Sequence, residues 1–114
     1  MDEANLTLLN TGILTSFGTY AYEPLTLEEA RALLRQFRRE GKTIQSAIGH
    51  QATAELLSGL LDYPVAVNRM DFKQTVETAA LIFKLKGRVP EGKVLSREEL
   101  EAVAYEFGLL TRTA

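Results

Sequence analysis

At Ser46-Ala-Ile-Gly-His50-Gln-Ala-Thr53 the spacing of apolar residues changes from that of a strand to that of a helix. The residues before it, Lys42 to Ile48, read as short and mostly extended. Those after it, with Ala54, Leu57, Leu60 and Leu61 facing inward, read as a helix from about residue 50 to Leu61, stopped by Asp62-Tyr63-Pro64. Gly49 supplies backbone freedom for the turn. His50, the only histidine of the chain, stands where the helix begins. Histidine exchanges protons near neutral pH, and a helix start offers unpaired N–H groups and partial positive charge to an anion. The stretch therefore has the parts needed to hold a phosphate and do acid–base chemistry on it. The plainer alternative is a partly buried histidine in a strand-to-helix turn.

Similar switches of period recur along the chain. Asn5 to Asn10 reads as a strand, with Leu6 and Leu8 on one face and Thr7 and Leu9 on the other, broken by Asn10-Thr11-Gly12. Ile13 to Tyr22 reads as a loop or irregular strand turning at Gly18. Thr26-Leu-Glu-Glu29 is a capping box flanked by Leu25 and Ala30, and Leu27, Ala30, Leu34 and Phe37 form the apolar stripe of the helix it opens. Arg31, Arg35, Arg38, Arg39 and Lys42 make the second half of that helix basic, as the helix dipole favours, and Gly41 ends it. Val65 to Met70 reads as a strand and Asp71 to Thr78 as a hairpin or loop. Ala79 to Lys86 is the strongest strand, with Lys84, Lys86 and Arg88 in one phase of the alternation. A glycine-bounded loop, Gly87 to Gly92, follows. Ser96-Arg-Glu-Glu99 is a second capping box opening a helix of about two turns, and Tyr105 to Leu110 is a last strand. The sum is a single α+β domain over residues 1–114, with a mixed β-sheet of about five strands and about three helices.

Composition narrows the chemistry. A chain of 114 residues with 46% hydrophobic and 25% charged residues can build one core. Without cysteine it has no disulfide, thiolate metal site or cysteine nucleophile. With a single histidine and no spaced carboxylate cluster, no metal and no other cofactor is expected. Met1-Asp-Glu-Ala-Asn5 has no signal-peptide character and no apolar run reaches membrane-spanning length, so a soluble, cytoplasmic protein without a membrane partner is expected. A net charge of −2 argues against binding long nucleic acid, but not against a short nucleotide ligand met by a few local cations.

Three segments carry residue types suited to a phosphodiester: Asn10-Thr11, Gly49-His50-Gln-Ala-Thr53, and Asn68-Arg69 together with Arg88-Val-Pro-Glu91. Metal-free cleavage of an RNA linkage needs help for the attacking 2′-hydroxyl, donors for charge developing on phosphate oxygens, and a proton for the leaving 5′-oxygen. His50 suits the acid or base, Arg69 and Arg88 suit bidentate phosphate contact, and Glu91 suits orienting His50 or sharing the proton transfer. Each has an ordinary counterpart: a surface ion pair for the arginines, a turn for Glu91, a helix cap for Thr53.

Taken together and in order, Leu8-Leu9-Asn10, Ser46-Ala-Ile-Gly-His50-Gln-Ala-Thr53, Val67-Asn68-Arg69, Gly87-Arg88-Val-Pro-Glu-Gly-Lys93 and Tyr105-Glu-Phe-Gly-Leu-Leu110 resemble the small viral ring nucleases. These are the type III anti-CRISPR proteins of archaeal viruses and phages, with cellular counterparts in bacterial genomes. The resemblance spans nearly the whole chain and is most specific at Ser-Ala-Ile-Gly-His and Arg-x-x-Glu-Gly-Lys. It implies a homodimer that binds cyclic tetra-adenylate in a cleft at the dimer interface and cuts it, without metal, into linear di-adenylates. It implies His50 as the principal catalytic residue, with Arg88 and Glu91 in the active site. It also implies that the substrate is bound by Asn10, Thr53 and Arg69, with Thr11 and Gly49 beside them. Some viral relatives carry serine at the position of Ala52 and glutamine at that of Lys84, so one hydroxyl contact is lost here and Lys84 adds a cation. The competing classes are a non-catalytic cyclic oligoadenylate sensor and a dimeric interaction module.

Overall fold

Strand β1 (Leu6–Leu9) is buried along its whole length and has a parallel neighbour on each side. The computed structural model describes residues 5–10, 14, 16–70, 72, 74–76, 78–85 and 105–114. Within them β1 is followed by β2 (Tyr20–Leu25), α1 (Leu27–Arg39), β3 (Ile44–Ser46), α2 (Gln51–Leu61), β4 (Ala79–Leu85) and β5 (Tyr105–Arg112). The strands form one mixed sheet of five in the order β2-β5-β4-β1-β3. Strand β1 runs parallel to β3 and β4, and β5 runs antiparallel to β4 and β2. One edge of the sheet therefore gathers the carboxyl ends of β1, β3 and β4 and the start of β5.

Alternation sorts the strand residues onto two faces. Leu6, Leu8, Leu81, Phe83 and Phe107 pack against Ala30 and Leu34 of α1 and against Ala54, Leu57, Leu60 and Leu61 of α2. Both helices thus cover one face. On the other, Leu9, Ala80, Ile82 and Leu110 pack with Phe72. The Phe83 and Phe107 rings lie 5.3 Å apart, centroid to centroid, and Tyr105 meets both at 5.9 Å. The single α+β domain and its mixed sheet are as the sequence predicts.

Helix α1 is specified at both ends by local chemistry. The Glu29 N–H donates to Thr26 Oγ1 at 3.1 Å, and the Glu29 carboxylate accepts from the Thr26 N–H at 2.9 Å. At the other end Gly41 takes φ of +72°, its N–H donates to Arg38 O, and the Lys42 N–H donates to Phe37 O. This is the paired closure in which a left-handed glycine turns the chain out of a helix.

Several boundaries differ from the sequence reading, each for a physical reason. The segment read as a loop or irregular strand up to Tyr22 leads into an edge strand that starts at Tyr20 and reaches Leu25, and Pro24 is tolerated because a strand paired on one side can spare an N–H. The Tyr22 ring lies over Gly108, where a Cβ would come within 2.3 Å of it, so β2 and β5 approach through that glycine. Val65 to Met70 is extended but has no ladder, with one backbone bond from Asn68 N to Ile48 O at 2.8 Å. The helix read from Ser96, the loop of residues 87–92 and Lys86 lie outside the described residues.

Replacing Thr26 by Ala removes the cap of α1 and should lower the unfolding free energy by about 1 kcal/mol, measured by urea titration.

Candidate functional site at the edge of the sheet

Beyond β3 the chain stays pinned to its neighbours for four residues. The Ala47 N–H donates to Leu8 O at 3.0 Å, which continues the β1–β3 pairing past Ser46. The Ile48 side chain is fully buried in the helix-side core. His50 is the N-cap of α2, with extended φ of −119° and ψ of 130°, and the first helical bond runs from Ala54 N to its carbonyl. Its imidazole is exposed, does not cap the helix, and makes no hydrogen bond to the described residues. The first turn of α2 carries no acidic side chain, and the N–H groups of Gln51, Ala52 and Thr53 have no acceptor among the described residues. Thr53 is half-buried and stands three residues from His50, on the same side of the helix.

The extended segment after Pro64 brings Arg69 to this turn. Its Nε donates to Gly49 O at 3.1 Å, and its stem passes over Gly49. A Cβ at Gly49 would stand 3.2 Å from Arg69 Cγ. Gly49 does not have positive φ, so what the site requires of it is room for the arginine rather than the backbone freedom expected from sequence. With Nε donating to Gly49 O, the two terminal nitrogens of the guanidinium make no hydrogen bond to the described residues, and their end-on edge is the one that suits two oxygens of a phosphate.

Of the other residues singled out from sequence, Asn10 is half-buried one residue past β1, at the same edge. Lys84 is exposed near the end of β4, but alternation puts it on the face away from the helices, directly across from Glu106 and two strands from β3. The structure thus brings together Gly49, His50, Thr53 and Arg69, sets Asn10 on the adjoining strand, and leaves Lys84 apart. Thr11, Arg88 and Glu91 lie outside the described residues. Among the described residues no three His, Asp or Glu side chains converge as metal ligands would. The lowered pKa of Glu40, caused by side-chain hydrogen bonds from Lys42 and then Gln36 and by the Lys42 charge, belongs to the end of α1.

Two residues not assigned to the site from sequence hold it together. Ser46 Oγ donates to Ala66 O at 2.7 Å and accepts from the Ile48 N–H at 3.2 Å. Asn68 Nδ2 donates to Ser46 O at 2.7 Å. Their presence inside the Ser-Ala-Ile-Gly-His and Asn-Arg segments was the available signal, but their mutual contact joins positions 22 residues apart.

A family model described as STIV B116-like matches residues 6–107. The uncharacterized protein YddF of Bacillus subtilis (strain 168) is 36% identical over 107 residues, covering 94% of this chain and 96% of its own. The uncharacterized protein ORF117 of Acidianus two-tailed virus is 36% identical over 111 residues, with 94% and 92% coverage. The structure of B116 of Sulfolobus turreted icosahedral virus is similar to this fold with a TM-score of 0.80 and 28% identity, over 95% of this chain and 99% of the other. None of these names states an activity. Among the described residues no helix is long and apolar enough to cross a membrane.

Gly49→Ala should push the Arg69 stem off the turn while changing unfolding free energy by no more than about 1 kcal/mol, since the contact is at the surface. Faster solvent exchange of the Arg69 Nε–H in ¹⁵N NMR would report it.

Proposed function

The chain belongs to the STIV B116-like family, and from that footing we propose that it is a metal-independent ring nuclease. On this reading two copies bind cyclic tetra-adenylate in a shared cleft and cut it into linear di-adenylates in the cytoplasm, silencing the type III CRISPR signal. The observation that carries the proposal is the exposed His50 imidazole, without a hydrogen bond among the described residues, at a helix start that its side chain does not cap and next in sequence to the Gly49 carbonyl that Arg69 holds. The resemblance of the His50 and Arg88–Lys93 segments to ring nucleases supplies the identity of the ligand.

The chemistry follows from those groups. The ribose 2′-oxygen attacks the adjacent phosphorus and gives up its proton to a base or to water. The bond from phosphorus to the 5′-oxygen breaks, leaving a 2′,3′-cyclic phosphate on one side and a 5′-hydroxyl, once protonated, on the other. His50 serves one of these proton transfers. The Arg69 terminal N–H groups and the open N–H groups of Gln51 to Thr53 take the charge that grows on the non-bridging oxygens. Asn10 holds the ligand from the end of β1, with Thr11 next to it. Arg88 and Glu91 complete the site on the strength of the resemblance, Glu91 orienting His50 or sharing its proton. A two-fold dimer presents two equivalent His50 residues to a ring with matching symmetry, so two cuts give equal halves.

The test is incubation of the protein with labelled cyclic tetra-adenylate and a chelator, followed by chromatography. Linear di-adenylate should appear, and His50→Ala should slow its formation by about 10²–10⁴-fold with binding largely retained. A ring that stays bound but whole would make the protein a sensor. A ring that does not bind would make it an interaction module.

A further inference from the structure

The turn that presents His50 is tied down from one side by two consecutive residues. Asn68 donates twice, from Nδ2 to Ser46 O at 2.7 Å and from its backbone N–H to Ile48 O at 2.8 Å. Arg69 donates once, from Nε to Gly49 O at 3.1 Å. Three of the four carbonyls from Ser46 to Gly49 are thereby engaged by a dipeptide. Ser46 closes the arrangement from the other side, its hydroxyl joining Ala66 O to the Ile48 N–H. The contacts pair 46 with 66, 48 with 68 and 49 with 69, so the two segments run side by side in the same direction. Buried Ile48 and Val65 anchor one residue of each.

We infer that Asn68 and Ser46 are positioning residues that hold the His50 imidazole and the Arg69 guanidinium in one fixed relation to each other. Neither side chain needs to touch the ligand. Asn68 reads the height of the turn through Ser46 and Ile48 and passes it along one peptide bond to Arg69. If the side-chain bond is lost, the turn and the arginine can slide past each other. These bonds lie at the surface, where water replaces a lost partner, so the fold is expected to tolerate their removal better than the chemistry does. A displacement of about 1 Å at a reacting group can lower a rate about 10²-fold.

The inference rests on the ring-opening reading of this site, but part of its test does not. Because the chain has one histidine, the imidazole ¹H–¹³C signal in NMR reports His50 alone. In Asn68→Ala and Ser46→Ala, the His50 signal and the Arg69 Nε–H signal should both move or broaden, with the thermal midpoint within a few degrees of wild type. Ser46→Thr, which keeps the hydroxyl, should restore both signals. In single-turnover cleavage of cyclic tetra-adenylate, Asn68→Ala should be slower by about tenfold or more. Unchanged His50 and Arg69 signals, a cleavage rate within about twofold of wild type, or a Ser46→Thr protein as altered as Ser46→Ala would each overturn the inference. If wild type leaves the ring intact, the ring-nuclease reading fails instead, and the NMR comparison still decides whether the two residues position His50 and Arg69.

Discussion

The parallel alignment of β1 with both of its neighbours decides where this protein can do anything. Parallel strands cannot be joined by a tight hairpin, so the chain must cross over a face between them, and here α1 and α2 share one face. Burial of β1 on both sides then fixes the register, because a slip by one residue would exchange Leu6 and Leu8 for Thr7 and Leu9. As a consequence the carboxyl ends of β1, β3 and β4 converge on one edge, the place where open α/β sheets present ligand-binding loops. Asn10 and the His50 turn are there because of strand direction, not because of anything local to them.

The two helices show how differently a chain can treat its helix starts. In helix α1 the capping box of Thr26 and Glu29 satisfies the N–H groups of both residues, and Glu28 and Glu29 in the first turn complement the dipole. Helix α2 has His50 at the equivalent position, no side-chain cap and no acid. A conventional cap would stabilise such a helix by about 1 kcal/mol. Its omission leaves the partial positive charge at the start of α2 without a compensating side chain in its first turn. An overall charge of −2 is compatible with this, since charges separated by more than about 8 Å are largely screened at physiological salt.

What could be read from the sequence was what is encoded locally. The Thr26–Glu29 capping box, the exit through Gly41, the alternation of β4 and the strand-to-helix switch at Ser46–Thr53 each involve residues within a few positions of one another, and each is found. The reading of residues 13–22 as a loop or irregular strand stops short of Leu25, because β2 is completed by pairing with β5, far along the chain. Gly49 was assigned conformational freedom because glycine shows no other property in a sequence. Its actual role depends on Arg69, 20 residues away. The Ser46–Asn68 contact was hidden for the same reason. The alternation did place Lys84 with its own face, but pattern alone could not say that α2 and His50 belong to the opposite one. Thr11, Arg88 and Glu91 were named from their residue types and from the resemblance, and they fall outside the described residues.

Two arginines of the basic run of α1, Arg31 and Arg38, meet the other end of α2. Arg31 Nε donates to Leu60 O at 2.6 Å, placing a cation on one of the last carbonyls of α2, where the dipole favours it. Arg38 lies over the Tyr63 ring at 5.5 Å just beyond the α2 C-cap, Asp62. Lys42 is held between Glu40 and the Phe37 ring. These cations are engaged within the fold. Helix α2 is therefore fixed at its C-terminal end by α1 and at its N-terminal end by the segment carrying Asn68 and Arg69, with Leu57, Leu60 and Leu61 buried between.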